Sequence, residues 1–425
     1  MIATGLLLAL AGGAGTPPAL LFQLNYNPET APGQPDYEDT LANLIYPLAK
    51  GPASMGYPTE PLPVMLSIRG GNMNTIEVGE LTTDEMTLSA KDVGFIGITF
   101  NYPEVEPTED YRVSSRGVGL LVQHLRANHA DLNVDPDRIF AMGRSYGTIV
   151  GHATCLQEDF ADPQATEPQL QESSRPDYWI PRFGPSDLTC FSDDVGAWSS
   201  ILSTFFFTDT NFSGASQEMK LAESPFWWLQ NPQLFGRTET PPMCVVHKAV
   251  HSDKCGGVVD VHSGLFGDIM LEAAREYADQ VGDRSYLDKL GTVDTGQFPN
   301  PVPAILAWSM QRLADDFDGL FLVPPTGTVG ATGGDLELAV FGATPGGFVS
   351  FFTGTQVSSF PLVGCPGVEG KIVDFVPVGT SQVDSKGSAS VSFSVAPSMV
   401  GTQAVFHAAD FDSCETSNVS VHVYY

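Results

Sequence analysis

The chain has 425 residues, which is long for one compact core and suits a large domain with a smaller one. It carries 50 Asp and Glu against 20 Lys and Arg, so its formal net charge is −30. Nucleic acids and anionic membranes are bound through clustered Lys and Arg, and this balance therefore argues against both as partners. Apolar residues make up 42% of the chain, which supplies a packed core and excludes wholesale disorder.

The N-terminus is apolar and rich in small residues. Residues 1–15 hold a leucine-rich run followed by glycines and alanines, which is typical of a secretory signal peptide. The charged start of such a peptide is missing, since the first basic residue is Lys50, and the alternative is a short buried segment. No other stretch reaches the roughly 18 continuous apolar residues of a membrane span. Six cysteines, an even number, also favour an oxidising compartment. We therefore expect a secreted or cell-surface protein of the bacterial extracellular type.

The six cysteines allow 15 pairings. Proximity along the chain favours three disulfides, namely Cys155–Cys190, Cys244–Cys255 and Cys365–Cys414. The alternative is six buried free thiols, since a free cysteine packs as a small apolar residue.

From about residue 37 to 316 the chain alternates short β-rich runs with helical stretches. This alternation predicts an α/β fold with a mostly parallel sheet covered by helices. Strands are expected at 63–68, 93–100 and 138–142. A helix is expected within 111–130, because four apolar residues recur there at helical spacing, Val118, Leu121, Val122 and Leu125.

Later parts of the chain change character twice. Residues from about 156 to 240 hold many prolines and aromatics with weak periodicity, and we interpret them as an insertion or lid over the sheet. Regular structure resumes with a strand over 241–246 and a helix over 263–279. Residues 321–333 have the Gly, Pro and Thr content of a linker.

Beyond the linker the helical period does not return. Short β-rich runs follow one another between turn residues, and the strict alternation over 388–395 is typical of a half-buried antiparallel strand. A β-sandwich domain over 334–425 is the economical interpretation. We expect it to attach to a surface, a polymer or secretion machinery.

A G-x-S-x-G pattern, residues 143–147, lies between the predicted strand at 138–142 and a helical stretch. This is the arrangement of a nucleophile elbow, in which a sharp strand-to-helix turn strains the serine backbone and leaves room only for glycine at the flanking positions. The following helix points its N-terminus at the serine and favours negative charge on a substrate oxygen. Ser145 is therefore the predicted nucleophile.

A glycine pair follows the strand at 63–68. Backbone N–H groups of Gly70 and Gly71 in this position can reach an oxyanion, joined by the N–H of Tyr146 just after the nucleophile. Taken alone, the glycine pair fits a tight turn equally well.

Together these motifs resemble the α/β-hydrolase fold, in particular secreted carboxylesterases similar to the acetyl-, feruloyl- and lipase-like enzymes. The resemblance covers about two thirds of the chain and rests on the residues at 69–71, 101–102, 135–139, 143–147 and 222–225 with 241–242. It implies an α/β-hydrolase domain over 16–320 that hydrolyses small-molecule or polymeric carboxylic esters. No metal-ligand spacing and no phosphate-cradling glycine loop occurs in the sequence, so neither cofactor nor metal is expected.

The same resemblance implies an acid after the strand at 243–246. Two candidates are present. Asp253 stands at about the expected distance beyond the strand and is preferred narrowly, while Asp260 lies just before the next helix and could equally cap it.

The resemblance also implies a histidine after the last strand, but the loop at 294–299 has none. A serine hydroxyl is a poor nucleophile without a neighbouring base. In one solution His262, or with less support His251 or His247, reaches Ser145 from the loop after the strand at 243–246, held by the Cys244–Cys255 bridge; otherwise His262 is a locally bonded helix-start residue. In the other, Gln297 occupies the lost position and the protein is a catalytically degenerate α/β-hydrolase with a binding or display role.

Overall fold

The structure is a computed structural model. It describes residues 6–9, 20–27, 40–47, 50–57, 59, 61–70, 85–103, 112–192, 202, 212–237, 239–248, 253–258, 260, 262–296, 300–316, 320–330, 333–354, 356–362, 364–385, 387–399, 403–417 and 420–423.

A nine-stranded sheet organises the first three quarters of the chain. Its strands are β1 (Leu6–Ala9), β2 (Leu20–Asn25), β3 (Leu41–Tyr46), β4 (Leu62–Ile68), β5 (Ile96–Phe100), β6 (Val134–Arg144), β7 (Tyr178–Arg182), β8 (Cys244–His247) and β9 (Gly291–Asp294). Their order across the sheet is β1-β2-β3-β5-β4-β6-β7-β8-β9. Six adjacent strands run parallel, in the order β5-β4-β6-β7-β8-β9. Strands β1, β2 and β3 add antiparallel pairing at one edge. The predicted α/β class with a mostly parallel sheet is confirmed.

Helices are packed against this sheet. They are α1 (Glu85–Asp92), α2 (Arg112–Ala127), α3 (His129–Leu132), α4 (Tyr146–Leu156), α5 (Pro168–Gln171), α6 (Gln217–Ala222), α7 (Pro225–Gln230), α8 (Leu265–Val281), α9 (Arg284–Lys289) and α10 (Val302–Asp316). The helix predicted within 111–130 is α2, and the four apolar residues that predicted it are completely buried.

The interpretation of residues 156–240 as an insertion or lid is wrong for one part of the segment and stays a prediction for the rest. Residues 178–182 within it form β7, a strand of the central sheet that pairs parallel with β6. Four of its five residues are buried, so no polar alternation marks it as a strand, and Pro181 weakens the pattern further. Its place in the sheet depends on pairing with β6, which the local sequence does not show.

The linker predicted over 321–333 is also corrected. Residues 321–330 form β10, which pairs antiparallel with β11 (Gly333–Phe341). The register shifts between Val323 and Thr326, where Pro324 and Pro325 stand. Because proline cannot donate a ladder hydrogen bond, the two prolines made this stretch read as a linker. In the structure a bulge at the prolines lets the strand continue past them.

The C-terminal part consists of separate antiparallel sheets. Its further strands are β12 (Phe348–Gly354), β13 (Gln356–Pro361), β14 (Glu369–Val373), β15 (Val376–Gln382), β16 (Ala389–Val395), β17 (Gln403–Asp410), β18 (Glu415–Thr416) and β19 (Ser420–Val423). One buried cluster joins Leu338 of β11 with Phe351 of β12 and Phe406 of β17, which belong to two of these sheets. The alternation that predicted the strand at 388–395 is confirmed by β16. A sandwich domain with bounds 334–425 stays a prediction.

Two disulfides are present among the described residues. Cys365–Cys414 is the predicted pair, whereas Cys190 is joined to Cys255, and Cys155 and Cys244 are free and buried. The predicted pairs Cys155–Cys190 and Cys244–Cys255 are therefore wrong. Cys155 lies in α4 and Cys244 lies in β8. The prediction paired each of them with the cysteine that follows it in the sequence, but closeness in sequence does not bring two cysteines together in the fold.

The N-terminal run and the helices bear on the compartment expectations. Residues 6–9, inside the predicted signal peptide of 1–15, pair antiparallel with β2 at the edge of the sheet, and the signal peptide stays a prediction. No helix in the described part of the chain is long and apolar enough to cross a bilayer.

Candidate active site

The candidate site lies at the carboxyl edge of the parallel strands. β4 and β6 are neighbours, while β5, which comes between them in sequence, lies on the other side of β4. The connections from β4 and from β5 therefore run to opposite sides of β4, which leaves a crevice at the carboxyl ends of these strands. Open α/β sheets bind their ligands in such a crevice. Gly70 follows β4 and Ser145 follows β6, so both are at this position.

Ser145 occupies a strained turn between β6 and α4. Its φ is 55° and its ψ is −119°, a backbone conformation that residues other than glycine rarely adopt. Its N–H donates to the carbonyl oxygen of Arg182 at 3.1 Å. A Cβ on Gly143 would lie 2.4 Å from the Gly147 carbonyl oxygen, and one on Gly147 would lie 2.1 Å from the Ile68 carbonyl oxygen. The flanking glycines are thus required by backbone contacts on both sides of the turn.

A histidine lies beside this serine. His262 Nε2 is 2.8 Å from Ser145 Oγ, which is hydrogen-bond distance and within reach for proton transfer. It comes from the segment between β8 and α8, one strand earlier than the resemblance implies. The structure therefore brings the predicted pair Ser145 and His262 together.

The other histidine candidates are elsewhere. His247, the last residue of β8, is buried and its Nε2 lies 3.1 Å from Thr292 Oγ1. His251, like Gln297, lies outside the described residues.

Asp260, and not the preferred Asp253, is the carboxylate beside His262. Asp260 Oδ1 lies 3.5 Å from His262 Nδ1 and accepts a hydrogen bond from the His262 backbone N–H at 3.0 Å. Asp253 Oδ2 instead accepts the hydroxyl hydrogen bond of Ser263. An aspartate two residues before a histidine folds back on it in a tight turn, and this Asp-x-His spacing was the available sequence signal.

The segment that carries these two residues is tied to the loop after β7. The Cys190–Cys255 disulfide joins them, and the Gly256 and Val258 N–H groups both donate to the Cys190 carbonyl oxygen. Ser192 N–H donates in turn to the Val258 carbonyl oxygen at 2.8 Å. Sequence reasoning expected a disulfide to hold this segment but named Cys244 as the partner, and it missed Cys190.

The electrostatic surroundings keep His262 neutral. Burial lowers its pKa below the ordinary value, Asp260 opposes this, and the positive charges of Arg144 and Lys248 lower it further. An imidazole with a pKa below about 6.5 is unprotonated at pH 7. It can therefore accept the proton of a serine hydroxyl.

Two of the three predicted backbone donors, Gly70 and Tyr146, lie next to Ser145. A Cβ on Gly70 would be 2.7 Å from Ser145 Cβ and 2.3 Å from the Arg144 carbonyl oxygen, so the Gly70 backbone passes directly beside Ser145. Tyr146 begins α4, and its N–H belongs to the positive end of that helix. Gly71 lies outside the described residues.

One group of three potential metal ligands occurs in the described part of the chain, formed by Asp187, Cys190 and Cys255. Its two sulfurs are joined in the disulfide, so no thiolate is offered there. These residues do not fit a metal ion in the oxidised protein.

Comparison with known proteins gave structural neighbours only. No protein-family model matches the chain, and no curated protein matches it. An acetyl ester-xyloside bifunctional hydrolase from Caldicellulosiruptor lactoaceticus is 16% identical, with a TM-score of 0.43 over 60% of this chain and 81% of that one. A thermophilic esterase from Thermogutta terrifontis with bound propionate is 16% identical, with a TM-score of 0.43 over 69% and 92%. A truncated carbohydrate esterase from gut microbiota is 14% identical, with a TM-score of 0.43 over 68% and 95%.

Proposed function

We propose that this chain is an α/β-hydrolase that cleaves carboxylic esters, with Ser145 as nucleophile, His262 as general base and Asp260 as the acid that orients the histidine. The observation that carries the proposal is the 2.8 Å separation of His262 Nε2 and Ser145 Oγ at a strained strand-to-helix turn. This contact supports His262 as the base in place of a histidine after β9, where the sequence has none.

The reaction follows from these positions. Ser145 Oγ attacks the ester carbonyl carbon while His262 Nε2 takes its proton, and the carbonyl oxygen becomes negatively charged. The N–H groups of Gly70, Gly71 and Tyr146 stabilise that charge. His262 then gives its proton to the departing alkoxide, which leaves an acyl group on Ser145. Water, activated by the same imidazole, releases the acid and restores the serine.

Asp260 supports both proton transfers. Its carboxylate faces Nδ1 and favours the positive imidazolium that exists between them. Because the Asp260 side chain is 58% exposed, its contribution is screened by water and falls short of that of a buried carboxylate.

The proposal includes export from the cytoplasm. It is supported by the two disulfides, since disulfides persist in oxidising compartments. Attachment of the C-terminal sheets to a surface or polymer stays a prediction.

The test is hydrolysis of p-nitrophenyl acetate by the protein and by Ser145→Ala. We expect the variant to lose at least about 10³-fold in kcat, because serine hydrolases lose most of their rate without the nucleophile. Ser54→Ala is the matched control, since the Ser54 hydroxyl donates a hydrogen bond to the Asp131 carbonyl oxygen near the opposite end of β6. Its rate should equal that of the unmodified protein.

A fluorophosphonate probe separates the enzyme from the degenerate alternative. Stoichiometric labelling of Ser145 supports a working nucleophile. Equal hydrolysis by protein and Ser145→Ala, together with no labelling, would instead favour a binding protein that kept the fold without the reaction.

A further inference from the structure

Basic side chains end four neighbouring strands of the sheet. Arg69 directly follows β4, Arg144 and Arg182 are the last residues of β6 and β7, and Lys248 directly follows β8. These strands are adjacent in the order β4-β6-β7-β8 and parallel, so the four residues share one edge. They are four of only 20 Lys and Arg in a chain with 50 acids.

This edge is also the one that holds the nucleophile. Arg144 directly precedes Ser145 and is level with Arg182 across the β6–β7 pair. At about 4.8 Å between strands, the four positions span about 14 Å, the size of a small ligand. Positive charges on four adjacent strand ends therefore lie at the site, together with the acids Asp260 and Asp294, although the whole protein is strongly negative.

Two of the four side chains are exposed and available to a ligand. The side chains of Arg144 and Lys248 lie on the surface, and neither side chain forms a hydrogen bond or ion pair with any residue that the structure describes. Acids near them have other contacts, since Asp260 faces His262 and Asp294, which ends the next strand, accepts from the Gly296 N–H.

Both exposed cations adjoin the Ser145–His262 pair along the chain. Arg144 directly precedes Ser145, and Lys248 begins the segment after β8 that carries His262; both positive charges also lower the pKa of His262. His262 is the group that hands its proton to the departing alkoxide in the proposed reaction. A negative charge on the alcohol part of the ester would thus lie in the electrostatic field of both side chains.

We propose that the substrates are acyl esters of hydroxycarboxylic acids, whose alcohol part carries a carboxylate bound by Arg144 and Lys248. This inference rests on the proposed function. A guanidinium and an ammonium group are both suited to a carboxylate, the guanidinium through paired N–H donors.

The test compares two acetate esters of the same shape, 4-acetoxybenzoate and its neutral amide, 4-acetoxybenzamide. We expect kcat/KM to favour the anion by about fivefold or more at low salt, the effect of one close charge pair in water. The preference should fall toward one at about 0.5 M salt, where such pairs are screened.

Variants then assign the preference to residues. Lys248→Gln and Arg144→Gln should each lower the anion-to-amide ratio of kcat/KM. Taking the ratio on a single variant removes any change in His262 that affects both substrates alike. Arg275→Gln is the matched control, because Arg275 is exposed on α8 about 15 Å along the helix from its first residue. It should leave the ratio unchanged.

The outcomes separate the inference from the proposed function. Equal kcat/KM for the two esters, a preference for the amide, or a ratio that the variants and salt do not change would overturn the inference, with ester cleavage by Ser145 intact. Failure to cleave either ester, with Ser145→Ala indistinguishable from the protein, would overturn the proposed function and this inference with it.

Discussion

Replacing Asp260 by Asn tests which carboxylate serves His262. The change removes a negative charge 3.5 Å from Nδ1 while keeping the size of the side chain. At that distance a unit charge pair is worth about 1 kcal/mol in water and about 5 kcal/mol at an effective dielectric constant of 20. The Asp260 side chain is 58% exposed, which places the effect in the lower half of this interval.

We therefore expect kcat for p-nitrophenyl acetate to fall about 10- to 100-fold, at about 1.4 kcal/mol for each factor of ten. This is well below the ~10⁴-fold loss that follows loss of charge at a buried triad carboxylate. The acid limb of the pH–rate profile should also move to lower pH, because Asp260 raises the pKa of His262 and the variant removes that influence.

Asp253→Asn is the matched control. Its amide oxygen can still accept the hydrogen bond of Ser263, so kcat should stay within about threefold and the pH profile should not move. A larger loss in Asp253→Asn than in Asp260→Asn, or an Asp260→Asn enzyme within about twofold of the unmodified protein, would refute the assignment of Asp260.

Three further predictions concern ionisation, the elbow and the disulfides. The kcat/KM for p-nitrophenyl acetate should rise with pH through the lowered pKa of His262, with the midpoint of the rise below about pH 6.5, and Lys248→Gln, which removes a lowering charge, should move that limb to higher pH. Gly147→Ala should lower the free energy of unfolding in urea by more than about 2 kcal/mol, because its Cβ meets backbone oxygen. Cys190→Ala should lower kcat at least about tenfold by releasing the segment that holds His262, as judged at a temperature where the variant stays folded.

Each has a matched control. For the elbow it is Gly257→Ala, because the nearest neighbour of its added Cβ is the Lys254 carbonyl oxygen at 3.5 Å, an ordinary contact; equal destabilisation of both variants would contradict a steric clash at Gly147.

For the disulfide it is Cys414→Ala, which opens the C-terminal bridge. That bridge joins residues 49 apart in sequence, whereas the Cys190–Cys255 bridge joins residues 65 apart. Both lose similar stability from chain entropy, about 4 kcal/mol, so equal kcat losses would exclude a positioning role for Cys190. A pH limb unmoved by Lys248→Gln would exclude its influence on His262.

Local physics made several features predictable. The helix containing Leu121 follows from apolar residues spaced by the helical turn, and β16 follows from strict alternation. The nucleophile elbow is readable because Gly143 and Gly147 are required by contacts within a few residues of Ser145 or with the adjacent strand. Such patterns depend on neighbours along the chain, and the sequence records those directly.

Contacts between distant segments were beyond this reach. His262 stands 117 residues from Ser145, and its pairing depends on how the segment after β8 folds over the sheet edge. The choice of Cys255 as partner for Cys190, across 65 residues, and the insertion of β7 beside β6 depend on the same assembled sheet. Composition and periodicity report which residues prefer to be buried or helical, but they do not report which buried segments meet. For this protein the candidate nucleophile was therefore predictable from the sequence, whereas the positions of the proposed histidine and acid beside it came from the folded chain.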